Sequence, residues 1–198
     1  MVTTGFSSPT LGWAALITGI IGLLSLVFII LFFTVGQPFG TLNDICIGLA
    51  GIASGVLAWM LFSGRQTSTS GLIGLLLAIA GAAVVAIGSY LVISNIAGWY
   101  LAGLYMSAGN ALIGIWLLLL NFSARGSDPW PHGLIIFGVI TGIIMLLGLV
   151  TIPGIFQRID AWEAAPWYIN YIGLPSSLGY LVIYPLWCVL LGRVLLRG

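Results

Sequence analysis

Six apolar stretches, each about 20 residues or more and separated by short polar segments, run through this chain from one end to the other. Gly, Pro, Asn, Ser and the rare charges punctuate them, placing the stretches at 11–35, 43–62, 71–94, 98–122, 132–152 and 172–196. Coiled as a helix, a run of that length matches the hydrocarbon thickness of a bilayer. Inside lipid there is no water to satisfy backbone N–H and C=O groups, so helix is the local solution for each run. Only 5% of the residues are charged, against about a quarter in a soluble domain, which is too few to cover a water-facing surface. The expectation is one all-α domain over residues 1–198, a polytopic bundle of six transmembrane helices with the lipid bilayer as its solvent. Residues 1–10 lack the basic n-region of a cleaved signal peptide, so the first run is expected to be a retained helix.

The connections are short except for 153–171. There Ile155, Ile159 and Trp162 recur at helical spacing opposite Gln157, Arg158, Asp160 and Glu163, which predicts a short interfacial helix between helices five and six. Trp162, Trp167, Tyr168 and Tyr171 are amphipathic rings suited to headgroup level. With six crossings, Arg65, Arg125, Arg193 and Arg197 fall on the side of both termini and only Arg158 falls opposite. Arg is retained on the cytoplasmic side, so a multi-pass cell-membrane protein with both termini cytoplasmic is expected.

Residues 17–27 read ITGIIGLLSLV and residues 140–150 read ITGIIMLLGLV, identical at nine of eleven positions. The even helices each carry a Trp followed by an Arg, namely Trp59 and Arg65, Trp116 and Arg125, Trp187 and Arg193. Three repeated helical hairpins would explain both patterns, although Leu, Ile and Gly dominate any apolar segment and interfacial Trp and Arg are common. Gly51 and Gly55 in helix two, and Gly138 and Gly142 in helix five, form G-x-x-x-G pairs that let helix backbones approach closely, inside the bundle or between copies.

Catalytic groups are sparse. The single histidine, His132, leaves no second imidazole for a zinc or bis-histidine haem site within one chain, and no nucleophile elbow, P-loop or dinucleotide fingerprint is present. No enzyme activity, cofactor, metal or nucleic-acid partner is expected. Cys46 and Cys188 sit in apolar surroundings and read as small packed residues. Asp44 falls in the first turn expected for helix two, behind Asn43, where capping and the helix dipole account for it. The neutral polar residues are the remaining candidates. Tyr105, Ser107 and Asn110 lie near the middle of helix four, and Ser176, Ser177, Tyr180 and Tyr184 accompany Pro175 and Pro185 in helix six, where a bend can open a cavity. A small-molecule pocket, if one exists, is expected at Tyr105, Asn110, Tyr180 and Tyr184.

The run Asn110-Ala-Leu-Ile-Gly-Ile-Trp-Leu, the segment 131–142 and the ending Tyr184-Pro-Leu-Trp-Cys-Val-Leu-Leu-Gly-Arg193 resemble a group of uncharacterised bacterial six-helix membrane proteins. That resemblance implies a six-helix fold and no activity. Two functional expectations stand from the residues. The first is a non-enzymatic scaffold or accessory subunit that packs against other membrane subunits or itself, motivated by the glycine pairs and the lack of intramembrane charge. The alternative is a carrier or channel for a small neutral or lipophilic molecule.

Overall fold

The computed structural model describes residues 6–63, 68–124 and 130–197. Among these, six helical stretches are long and apolar enough to cross a membrane, and the protein is a multi-pass integral membrane protein with an all-α fold. The first four spans are single helices, α1 (Ser8–Val35), α2 (Phe39–Ser63), α3 (Thr69–Ile93) and α4 (Trp99–Ala124). The fifth span changes helix type along its length: α5 (His132–Leu146) passes through a 3-10 segment (Leu147–Thr151) into α6 (Ile152–Phe156). The sixth does so too, with α7 (Trp167–Leu178) continuing into α8 (Tyr184–Arg197) through a π-helical turn (Gly179–Ile183).

Local chemistry explains the helix ends. Ser7 and Ser68 precede α1 and α3, and their hydroxyls accept from the backbone N–H groups of Thr10 and Gly71, satisfying donors that a first turn leaves free. Pro9 enters at the first turn of α1, where its missing N–H costs nothing. Gly36 ends α1 at φ 97°, a backbone conformation that a side chain would strain, and its N–H returns to Leu31 and Phe32. Helix α4 is capped from a distance: Asp160 accepts from the N–H of Gly98 at 2.7 Å and of Leu101 at 3.0 Å. A carboxylate there also meets the positive end of the helix dipole. Asp160→Ala is expected to lower stability by about 1 kcal/mol, with Asp160→Asn losing less. Thermal unfolding in detergent measures both, and an unchanged midpoint for Asp160→Ala would dismiss the cap.

The spans follow one another round a ring. Helix α1 packs between α8 and α2, α2 against α3, α3 against α4, and α4 against α5, and the fifth and sixth spans close the circuit. Helix α4 is the most buried span and α1 the least. The start of α1 meets the end of α8, with the Ser8 hydroxyl donating to the Leu195 carbonyl at 2.8 Å.

The sequence similarity between 17–27 and 140–150 extends to environment at its Thr-Gly pair. Thr18 and Thr141 are both buried and both bond the carbonyl four residues back. Gly19 lies against Pro185 and Val189 of the sixth span, and Gly142 lies against Gly114 and Leu118 of the fourth, so each odd span receives its even predecessor in the ring. The tryptophans do not share such a position: Trp59 is 50% exposed, whereas Trp116 is 4% and Trp187 is 0%.

Several spans run longer than the sequence pattern suggests, and two of these shifts change an interpretation. Helix α2 begins at Phe39, so Asp44 stands in its second turn and not its first, and the first turn carries no acid. Capping therefore does not account for Asp44. The connection between the fifth and sixth spans contains only a three-residue 3-10 turn (Trp162–Ala164) in place of an amphipathic interfacial helix. Ile155 is taken up by the end of the fifth span, and Ile159 turns into the protein among Tyr100, Leu104 and Ile169. Burial against these neighbours and the pull of Asp160 on the start of α4 favour a folded-back loop over a helix lying in lipid.

Candidate functional site

Polar side chains inside this bundle gather along one seam between the fourth and sixth spans, which α1 and α2 line from the other side. At its inner part lies a cavity of about 20 Å³ whose walls include Thr18, Ser25, Ser54, Asn110, Tyr180 and Tyr184. That is room for a water molecule or so. The Tyr184 hydroxyl donates to Ser54 at 2.9 Å while its ring stacks on Trp187, which fixes its direction. The Asn110 amide donates to the Met106 carbonyl four residues back, which leaves the side-chain oxygen for the cavity it lines.

Toward the end of the bundle away from the termini lies a wider cleft of about 180 Å³. Trp99, Tyr100 and Trp162 form its aromatic rim, and Ser107, Thr151, Asn170 and Ser177 supply polar groups. The Tyr100 hydroxyl donates to Asn170 at 2.6 Å, and the Asn170 amide donates to the Trp162 carbonyl at 3.1 Å. Tyr180 lines both the cleft and the small cavity, so its side chain is the wall between them.

The changes of helix type in the two spans fall beside this seam, where side-chain hydrogen bonds tie the spans together. Thr151, at the end of the 3-10 segment, donates to Gly148 and across to Leu104 of α4. Ser176 shares a hydrogen bond with Ser107 at 3.2 Å and reaches the Met145 carbonyl at 3.5 Å. Pro175 cannot donate to the helix it sits in, and the π turn that holds Tyr180 follows within one turn. Gly148 admits this approach because a Cβ would meet the Ser107 carbonyl at 2.5 Å.

Three of the four residues expected to form a pocket therefore do come together: Asn110, Tyr180 and Tyr184. Tyr105 lines neither the cavity nor the cleft. It is five residues from Asn110, about 140° around the helix, and so faces another way. Thr18, Ser25, Ser54, Thr151 and Asn170 were not singled out from the sequence. A signal existed for α1, since Thr18, Gly22 and Ser25 at i, i+4 and i+7 share one helix face. Asn43, read from the sequence as a helix-end residue, is buried and accepts from Ser25 across α1 and α2 at 2.8 Å. Its amide donates to Asp44 at 3.3 Å, which ties that carboxyl to the Ser25–Asn43 pair. An ionisable group within a span, tied to the seam in this way, is costly unless partnered.

The four glycines expected at close-packed positions all face inward. A Cβ at Gly51 would meet Val85, at Gly55 Ala82, at Gly138 Asn121 and Trp187, and at Gly142 Gly114 and Leu118. Cys46 and Cys188 are both free, and Cys188 is buried. His132 is exposed at the start of α5. No known protein family, curated protein or solved structure matches this chain.

Proposed function

We propose that the protein is a non-enzymatic carrier-type binder of a small neutral molecule, taken up in the cleft and passed on only when Tyr180 moves aside and the small cavity behind it opens. The observation that carries the reading is a polar seam and cleft lying beside two spans that change helix type, one to 3-10 and one to a π turn. Single π turns within α-helices are frequent at functional sites. Neutral polar groups dominate the seam, which favours a neutral ligand held by hydrogen bonds. The cleft side then faces outward and both termini face the cytoplasm of a cell membrane, a direction supported by Arg193 and Arg197 at the end that carries the termini.

Native mass spectrometry of the protein extracted gently from its own membrane tests this. A small molecule retained by the chain alone, and lost in Asn110→Leu/Tyr180→Phe, is the expected result, with binding weakened about tenfold or more for the pair. Retention undiminished in that variant removes the site. A second reading, the scaffold or accessory subunit, is favoured by α1, the least buried of the six spans, which leaves most of its surface free for another helix. Foreign chains attached to the protein, with no small molecule, would support it. The inward-facing glycines no longer count toward it, because the bundle itself uses them.

Cysteine labelling gives an independent check. With Cys46 replaced by Ser, Ser107→Cys is expected to react with a small polar thiol reagent from the cleft side, whereas Ala15→Cys, fully buried outside the seam, is not. Equal protection of both would close the cleft as a route.

A further inference from the structure

A second cavity stands apart from the seam, at the opposite end of the bundle. It is a groove of about 600 Å³ between the start of α5 and the last turns of α8. Leu134, Phe137, Leu190 and Val194 make its walls apolar, and Arg193 and Arg197 stand on its rim. The groove is open beside Gly133, where an added Cβ would meet nothing within 4 Å. Four residues apart on α8, the two exposed arginines stack on one helix face. Neither forms an ion pair among the described residues, and the three described acids, Asp44, Asp160 and Glu163, all lie toward the other end.

We propose that this groove is a binding site for an anionic phospholipid of the surrounding bilayer. The headgroup phosphate sits between the guanidinium groups of Arg193 and Arg197, and an acyl chain runs along Leu134, Phe137 and Leu190. Guanidinium forks match phosphate oxygens in geometry as well as charge. Both arginines lie in the last two turns of the final span, at headgroup depth, where basic pockets between transmembrane helices take anionic lipid. A free anion would leave the apolar walls unused, and a lipid without net charge would gain less from the two arginines. The apolar walls and the charge together call for one molecule that is anionic at one end and apolar along the other. The site does not depend on the carrier reading, because no residue of the seam takes part.

The test uses the full chain in nanodiscs containing equal phosphatidylglycerol and phosphatidylcholine, with the lipid retained on the protein measured by native mass spectrometry. Retention of phosphatidylglycerol over phosphatidylcholine by about 10- to 30-fold is expected from two arginines. Arg193→Gln/Arg197→Gln is expected to bring the ratio near one, while Arg158→Gln at the opposite end leaves it unchanged. The unmodified protein supplies a second measurement that needs no variant. At about 1 M salt the preference is expected to fall sharply, and excess inorganic phosphate at constant ionic strength is expected to leave the lipid in place. Equal retention of the two lipids, or a preference that persists in the folded double variant, overturns the proposal. Displacement by inorganic phosphate alone also overturns it, since the site would then be one for a free anion.

Discussion

Gly81→Ala is expected to destabilise the protein by about 2–3 kcal/mol, a large effect for a single methyl group. A Cβ at Gly81 would lie 2.5 Å from the Gly109 carbonyl, and one at Gly109 would lie 2.6 Å from the Gly81 carbonyl. Helices α3 and α4 thus meet backbone to backbone, so no rotamer change relieves the clash and the two helices must separate. Close approach of this kind supplies the van der Waals contact that holds helices together in lipid, where the tails are as apolar as leucine and burial provides little driving force. The same substitution elsewhere calibrates the claim. Gly55→Ala meets the Ala82 methyl at 3.1 Å and otherwise only the Ala78 carbonyl, at 4.0 Å, and is expected to cost within about 1 kcal/mol. Gly103→Ala meets nothing within 4 Å and is expected to be neutral or to stabilise by up to about 1 kcal/mol, since Ala is the better helix former. Unfolding titrations in mixed detergent micelles rank the three, and a Gly81→Ala midpoint equal to that of Gly103→Ala would rule out the α3–α4 approach.

Trp187→Ala is the second large effect expected. The side chain is fully buried in the core, its ring stacks on Tyr184, and its indole N–H donates to the Leu134 carbonyl at 3.2 Å. In a soluble core such a truncation costs about 3–5 kcal/mol, much of it lost transfer from water. Here the separated helices remain in hydrocarbon, so the cost reduces to the cavity and the lost hydrogen bond, about 2–3 kcal/mol. Trp187→Phe keeps most of the volume and removes the donor, and is expected to cost only about 0.5–1 kcal/mol. The two variants together separate packing from hydrogen bonding. Equal losses in both would assign the effect to the indole N–H and not to the ring. Because Tyr184 is held by this ring, Trp187→Ala is also expected to disturb the seam, whereas Gly55→Ala is not.

Much of the architecture was legible in the residues, since in lipid the requirement that every backbone group be satisfied within its own segment makes length and apolarity sufficient to specify a helix. Six spans, their order and the gathering of both ends on one side follow from that. Short-range chemistry was present but went unread: Ser7 and Ser68 open α1 and α3 ahead of the starts expected at 11 and 71. The similarity of 17–27 and 140–150 was read, and its Thr-Gly pairs at 18–19 and 141–142 take matching places in the ring. Helical spacing within α4 was available as well, and it separates Tyr105 from Asn110 without any structure.

What the tertiary structure alone decided is which polar groups meet and where helices change type. Nothing in the local sequence of 153–171 says that Asp160 reaches the start of α4, because that cap joins residues about sixty positions apart. The first turn of α2 moved four residues earlier, carrying Asn43 and Asp44 into the bundle, where Ser25 of α1 waits as a partner. The side-chain hydrogen bonds beside the 3-10 and π segments at 147–151 and 179–183 likewise join separate spans, Thr151 to Leu104 of α4, and Ser176 to Ser107 of α4 and Met145 of α5. Apolar periodicity is nearly blind in such a chain, since lipid-facing and protein-facing surfaces are equally hydrophobic. The face each helix turns inward is set by small residues and hydrogen bonds between spans, and those are properties of pairs of helices that exist only once the bundle has formed.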